Sequence, residues 1–199
     1  MRGLRLVVFM LCLLCVAPAS ALAVAPTGGA SYKPPAPPRP PAPLPADPGA
    51  VVPGPQPTVP GVQAVLLPDG TAAAPQDAPP QVQAAVWAAN KLQKLPYRYG
   101  GGHASFVDRG YDCSGTVSFA LNAAGLIKTP LDSSSFLRWG ESGRGEWITV
   151  YTNPGHAYVV IAGLRLDTSS AGAGGGKGPR WRATGRPTAG YRVRHPRNF

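Results

Sequence analysis

The chain has 199 residues, of which 25 are Pro and 25 are Gly, and 19 Lys+Arg against 9 Asp+Glu give a net charge of +10. Eighteen of the prolines lie between Pro26 and Pro80 and only six follow Gln81. Proline lacks the N–H that sheet ladders and helix interiors use, so a single globule spanning all 199 residues is excluded and about 119 residues remain for one domain.

Arg2 and Arg5 precede an apolar run from Leu6 to Ala17, followed by Ala19-Ser20-Ala21. A short positive region, an apolar stretch too brief to span a bilayer and a small-x-small site describe a secretory signal peptide over residues 1–23. The membrane is then met only through that segment, and the product is expected in the periplasm, the cell wall or the medium. Cleavage removes Cys12 and Cys15 and leaves Cys113 as the one cysteine of an exported chain. Exported proteins normally use cysteines in pairs, so a lone thiol is a packed hydrophobe, an intermolecular link or a reactive group. Residues 24–80 read as a Pro-rich, disordered or polyproline-like linker, and the folded domain is expected over 81–199.

Within that domain, Val82, Ala85, Val86, Ala89 and Leu92 follow helical spacing from Gln81 to Lys94, and Pro96 stops the pattern. A second helix is expected to begin near Ser114, with Val117, Ala120, Leu121 and Ala124 on one face and Gly125 at its end. Asp132 and the three serines after it could cap a third, short helix reaching Trp139. Strands are expected over 146–151, 156–162, 164–168 and 191–194, with a tight turn at Ala162-Gly163. Helices first and strands afterwards argue for an α+β fold, an antiparallel sheet with helices packed on one side.

Asp112-Cys113-Ser114-Gly115 stands where a Gly-rich loop ends and the second helix begins. The first turn of a helix offers unpaired N–H groups and a partial positive charge, which favour a thiolate over a thiol. Of the three histidines, His156 follows the turn Asn153-Pro154-Gly155 and opens the most apolar strand, where a general base would be held rigidly. An antiparallel return through Gly163 would bring Asp167 back beside it. Cys113, His156 and Asp167 in this order have the makings of a nucleophilic triad.

Pro96-Tyr97-Arg98-Tyr99-Gly100-Gly101, Asp112-Cys113-Ser114-Gly115 and the run from Gly155 to Gly163 together resemble the NlpC/P60 family of cell-wall cysteine peptidases, over about Gln81 to Ser169. The resemblance implies a papain-like fold and hydrolysis of amide bonds in peptidoglycan stem peptides, often the D-γ-glutamyl bond to a diamino acid. By position it makes Cys113 the nucleophile and His156 the base, and it puts Tyr97 near the oxyanion site, with Ser114 a further candidate for oxyanion or substrate binding. The third polar residue, commonly His, Asn or Gln in the family, is matched here by Asp167. The same constellation could serve an amidase or acyltransferase on another envelope substrate, and a non-catalytic wall-binding module is the rival from a different class.

Residues 81–199 carry 15 Lys+Arg and 6 Asp+Glu, and from Lys177 onward there are seven cations and no acid. That excess fits peptidoglycan or another anionic envelope polymer as partner, or simply a solvated basic face. Export argues against nucleic acid. The Gly-rich run Ala171–Gly178 lacks the first Gly and the Ser/Thr of a phosphate loop. Three scattered histidines and one thiol offer no metal-ligand spacing, so neither metal nor cofactor is expected, and the chain is taken as a monomer.

Overall fold

The computed structural model describes residues 56–169, 178–183 and 185–199. The expected signal peptide, the stiffest part of the expected linker and residues 171–177 of the Gly-rich run lie outside them. Among the described residues, no helix is long and apolar enough to cross a membrane.

Pro79 and Pro80 open helix α1 (Pro80–Asn90), where a missing N–H costs nothing because the first turn has no acceptor for it. The chain then turns through Lys94 instead of extending the helix as far as its apolar spacing suggested. Helix α2 (Cys113–Ala123) starts one residue earlier than expected, because the Asp112 side chain caps it by accepting from the Gly115 N–H at 2.8 Å. Its end is followed by Gly125, at φ +72°. Asp132 caps α3 (Ser133–Phe136), which ends before Trp139.

Strands β5 (Ile148–Asn153), β6 (His156–Ile161) and β7 (Leu164–Asp167) form the centre of a six-stranded antiparallel sheet. β4 (Glu141–Ser142), β8 (Arg180–Arg182) and β9 (Arg192–His195) complete it in the order β4-β9-β5-β6-β7-β8. The β6–β7 turn uses Ala162 at φ +46° and Gly163 at φ +83°, the left-handed pair that a two-residue hairpin needs to match strand twist. Val150 faces Val159 and Val159 faces Leu166. These residues, with Ile148, Ile161 and Leu164, meet Val82, Val86, Val117 and Leu121 in one core. The α+β class follows directly, with the helices against one face of an antiparallel sheet. Tyr151, Tyr158, Arg165 and Asp167 belong to the other face by alternation.

The packed region begins well upstream of Gln81, which corrects the expectation that the linker runs to Pro80. β1 (Thr58–Val59), β2 (Val65–Leu66) and β3 (Ala72–Pro75) form a small sheet in the order β1-β3-β2. Ala72, Ala74 and Ala78 are buried in one cluster with Val82, Ala85, Val86 and Ala89 of α1. Asn90 of α1 pairs with both backbone groups of Ala72, accepting from its N–H and donating to its carbonyl, each at 2.8 Å. The Trp87 indole donates to the Pro57 carbonyl at 3.0 Å, and the Ala64 N–H to the Ala162 carbonyl at 2.8 Å. Proline is tolerated here because it occupies strand ends and turns, while the small side chains of Ala72, Ala74 and Ala78 supply the packing surface.

Candidate active site

Cys113 is the first residue of α2, and two backbone arrangements bring its surroundings together. Tyr97 and Tyr111 form a parallel bridge, through Arg98 N–H to the Tyr111 carbonyl and Tyr111 N–H to the Pro96 carbonyl, each 3.2 Å. Tyr97 is thereby fixed beside the segment that leads into the helix. The Gly101 carbonyl meanwhile accepts from the Asp112 N–H at 3.2 Å and lies directly against Gly115. A Cβ at Gly115 would overlap that carbonyl. Gly115→Ala should therefore push the Gly-rich loop off the start of α2, with a stability loss of ~1–3 kcal/mol and slower alkylation of Cys113, checked by thermal unfolding and thiol labelling.

The Cys113 thiol is buried and forms no disulfide. Burial pushes its pKa up. Hydrogen bonding from His156, the Ala157 N–H and the Ser133 hydroxyl, together with the His156 charge, outweighs burial and holds the thiol below its ordinary range. The Ser133 Oγ lies 3.7 Å from Sγ, and Thr152 of β5 anchors that residue by donating to its carbonyl at 2.6 Å.

His156 opens β6 after a turn in which Asn153 Oδ1 accepts from the N–H groups of Gly155 (3.0 Å) and His156 (2.9 Å). The hairpin register pairs Val159 with Leu166, so Asp167, one residue further on, falls on the face of Tyr158 and His156. The His156 Nε2 lies 2.9 Å from Asp167 Oδ1, which leaves Nδ1 as the ring nitrogen available to the thiol. Burial works against the imidazolium, but the Asp167 carboxylate and the Cys113 sulfur raise the pKa to about 9. Asp167 is fully buried, which pushes its carboxyl up. Its contacts with His156, the Ser169 N–H and Arg186 hold it below the usual carboxylate range instead.

A cleft of about 420 Å³ opens beside the thiol, lined among others by Tyr97, Tyr99, Cys113, Ser114, Asp132 and Ser133. Tyr97 is 43% exposed; its phenol pKa is raised by partial burial and by the negative charge of Cys113 and Asp112. Ser114 also lines the cleft, but its hydroxyl is engaged, 3.2 Å from His103 Nε2 and 3.3 Å from Asp112 Oδ1. His103 Nε2 in turn sits 3.0 Å from Asp112 Oδ1. The cap of α2 is thus tied to the Gly-rich loop by a histidine that sequence reasoning noted only by its location. Ser133 was legible as part of a capped helix, but nothing in its neighbourhood signalled its approach to the thiol.

Arg186 is the other residue the sequence did not reveal. Its Nη1 lies 2.9 Å from Asp167 Oδ2, and Arg165 Nη1 lies 3.3 Å from the same oxygen. The basic C-terminal stretch is in large part committed internally. Arg180 donates to the Leu95 carbonyl, Arg194 to the Trp139 and Gly140 carbonyls, and Arg197 pairs with Glu141.

No family model and no curated protein matches the chain. Among solved structures it is similar to the peptidoglycan hydrolase RipB (Rv1478) of Mycobacterium tuberculosis, at 19% identity and a TM-score of 0.44 over 58% of this chain and 64% of that one. It is also similar to Rv1477, a hypothetical invasion protein of Mycobacterium tuberculosis, at 24% identity and a TM-score of 0.41 over 57% and 61%. The chain spans less than two thirds of either.

Proposed function

We propose that the chain is a secreted cysteine peptidase of papain-like architecture that hydrolyses amide bonds in peptidoglycan stem peptides through Cys113, His156 and Asp167. The observation that carries the reading is geometric: the thiol stands on the first turn of α2 beside an imidazole that is itself paired, at 2.9 Å, to a buried carboxylate. A cysteine kept for packing alone would gain nothing from that relay. The substrate class comes from the resemblance of the Tyr97–Gly101, Asp112–Gly115 and Gly155–Gly163 segments to NlpC/P60 peptidases, which also implies the D-γ-glutamyl bond to a diamino acid. An extracytoplasmic site of action and a wall-polymer partner follow from the same reading.

In the cycle, the Cys113 sulfur attacks the amide carbonyl carbon and forms a C–S bond while the carbonyl oxygen takes up the negative charge. The Cys113 backbone N–H, without an intrahelical acceptor at this position, is a donor for that oxygen, and the Tyr97 hydroxyl at the cleft is a second. His156, having taken the thiol proton, returns one to the departing amine nitrogen as the C–N bond breaks. Water then attacks the thioester carbonyl carbon, giving a proton to His156; the C–S bond breaks, the carboxylic acid product leaves, and the sulfur is restored as a thiolate paired with the protonated imidazole. Asp167 keeps the ring oriented by accepting from Nε2 throughout.

The test is digestion of purified peptidoglycan by the full chain, with products read by mass spectrometry. The parent should release fragments bearing new amine and carboxyl ends, and Cys113→Ala should release none above background. Undiminished release by Cys113→Ala would overturn the proposal.

A further inference from the structure

We propose that Arg186, from the C-terminal basic segment, is a positioning residue that acts through Asp167, holding its free oxygen and offsetting part of its charge so that His156 remains able to give up its proton. The inference rests on the roles proposed above for Cys113 and His156.

Asp167 has two oxygens and they are divided. Oδ1 faces His156 at 2.9 Å and accepts from the Ser169 N–H at 2.8 Å. Oδ2 faces Arg186 at 2.9 Å and Arg165 at 3.3 Å. Only the Arg186 contact is aligned as a hydrogen bond, since Arg165 Nη1 has no hydrogen-bond partner despite its ion-pair distance. Arg186 is held in turn by two rings. Its guanidinium carbon lies 5.1 Å from the Tyr158 ring centre and 5.3 Å from that of Tyr191, within cation–π reach of both. Tyr191 also packs edge-on to His156, with centroids 6.4 Å apart. The same short segment therefore touches the acid through Arg186 and the base through Tyr191. The two rings pack edge-to-face with centroids 5.3 Å apart, so the guanidinium lies in the corner they form, which restricts its rotamers and fixes the direction from which it meets the carboxylate.

The charge consequence has a definite sign. A buried carboxylate facing an imidazole with no other counter-ion would stabilise the imidazolium so strongly that it would protonate a leaving amine poorly. Around His156 stand the Cys113 sulfur, Asp167, Tyr158 and Tyr191. Burial pushes the Tyr158 phenol up, so it stays neutral. Arg186 and Arg165 are the cations facing Asp167, and Arg182 sits next to Arg165. Removing Arg186 takes away one of the two cations on Asp167, while Ser169 and Arg165 still hold the carboxylate near His156. The imidazolium then becomes harder to deprotonate.

The experiment uses the full chain with Arg186→Met, Arg186→Gln and Arg186→Lys. Carboxymethylation of Cys113 by iodoacetate, measured from pH 5 to 10.5, needs no substrate; its rate falls as His156 loses its proton, because the reagent is anionic. The two neutral variants should move that falling limb upward by about half a pH unit or more, and R186K should keep it near the parent's position. On peptidoglycan, R186M and R186Q should lose about threefold or more in kcat, with KM within about twofold of the parent and partial rescue in R186K. A limb at the parental pH in whichever neutral variant folds would overturn the proposal, as would a neutral-variant defect that R186K does not relieve. If the chain fails to cut peptidoglycan, the carboxymethylation limb still decides the case for Arg186, so the two failures are distinguishable.

Discussion

Replacing His156 by Gln is expected to slow alkylation of Cys113 by iodoacetamide at pH 7 by about tenfold or more, and to lower peptidoglycan cleavage by ~10²–10⁴-fold. The thiol is buried, and burial alone raises its pKa; the contributions that reverse this begin with His156, as hydrogen-bond partner and as charge. Without the imidazole, the Ala157 N–H and the Ser133 hydroxyl remain, two neutral groups set against the cost of an ion in a buried site. The sign with pH follows. In the parent, the lowered thiol pKa brings the thiolate in at lower pH than in an unassisted thiol, and His156 stays protonated up to about 9, so the ion pair persists between the two midpoints. In H156Q, alkylation should rise only in alkaline solution, along the curve of an unassisted thiol or above it in pH. Equal rates at pH 7 in parent and variant would show that the helix terminus, not the imidazole, activates the sulfur. Because the two groups titrate as a pair, the measured midpoints belong to the pair and not to either residue.

The second large effect concerns stability. A chain beginning at Gln81 should be less stable than one beginning at Gln56 by ~3 kcal/mol or more, lowering Tm by about 10 °C in thermal unfolding. The truncation exposes the α1 surface that Ala72, Ala74 and Ala78 cover. It also leaves the Trp87 indole without the Pro57 carbonyl and Asn90 without Ala72. Asn90 Oδ1 additionally accepts from the Trp181 indole at 2.8 Å, so the disturbance would pass from α1 to β8 at the edge of the main sheet. Identical melting curves for the two chains would mean that residues 56–80 lie on the domain without supporting it. Assays of the proposed activity accordingly need the longer chain.

The sequence alone determined the features whose causes are local. A helix opening at the end of the Gly-rich loop, near Ser114, was readable, though its start at Cys113 rests on the Asp112 cap that the structure shows, and the closing of β6 on β7 follows from turn chemistry at Ala162-Gly163. Alternation along that hairpin is enough to bring Asp167 toward the mouth where His156 stands. What it could not disclose depends on partners far along the chain. Two-residue strands such as β1 and β2 carry no periodicity, and the prolines around them imitate a linker until α1 offers a surface to cover. Ser133 reaches the thiol only because Thr152 ties the start of α3 to β5. Arg186 looks like any solvated cation until the tertiary fold sets it against a carboxylate 19 positions earlier, since a charge in sequence has no direction and acquires a role only when burial leaves it one acceptor.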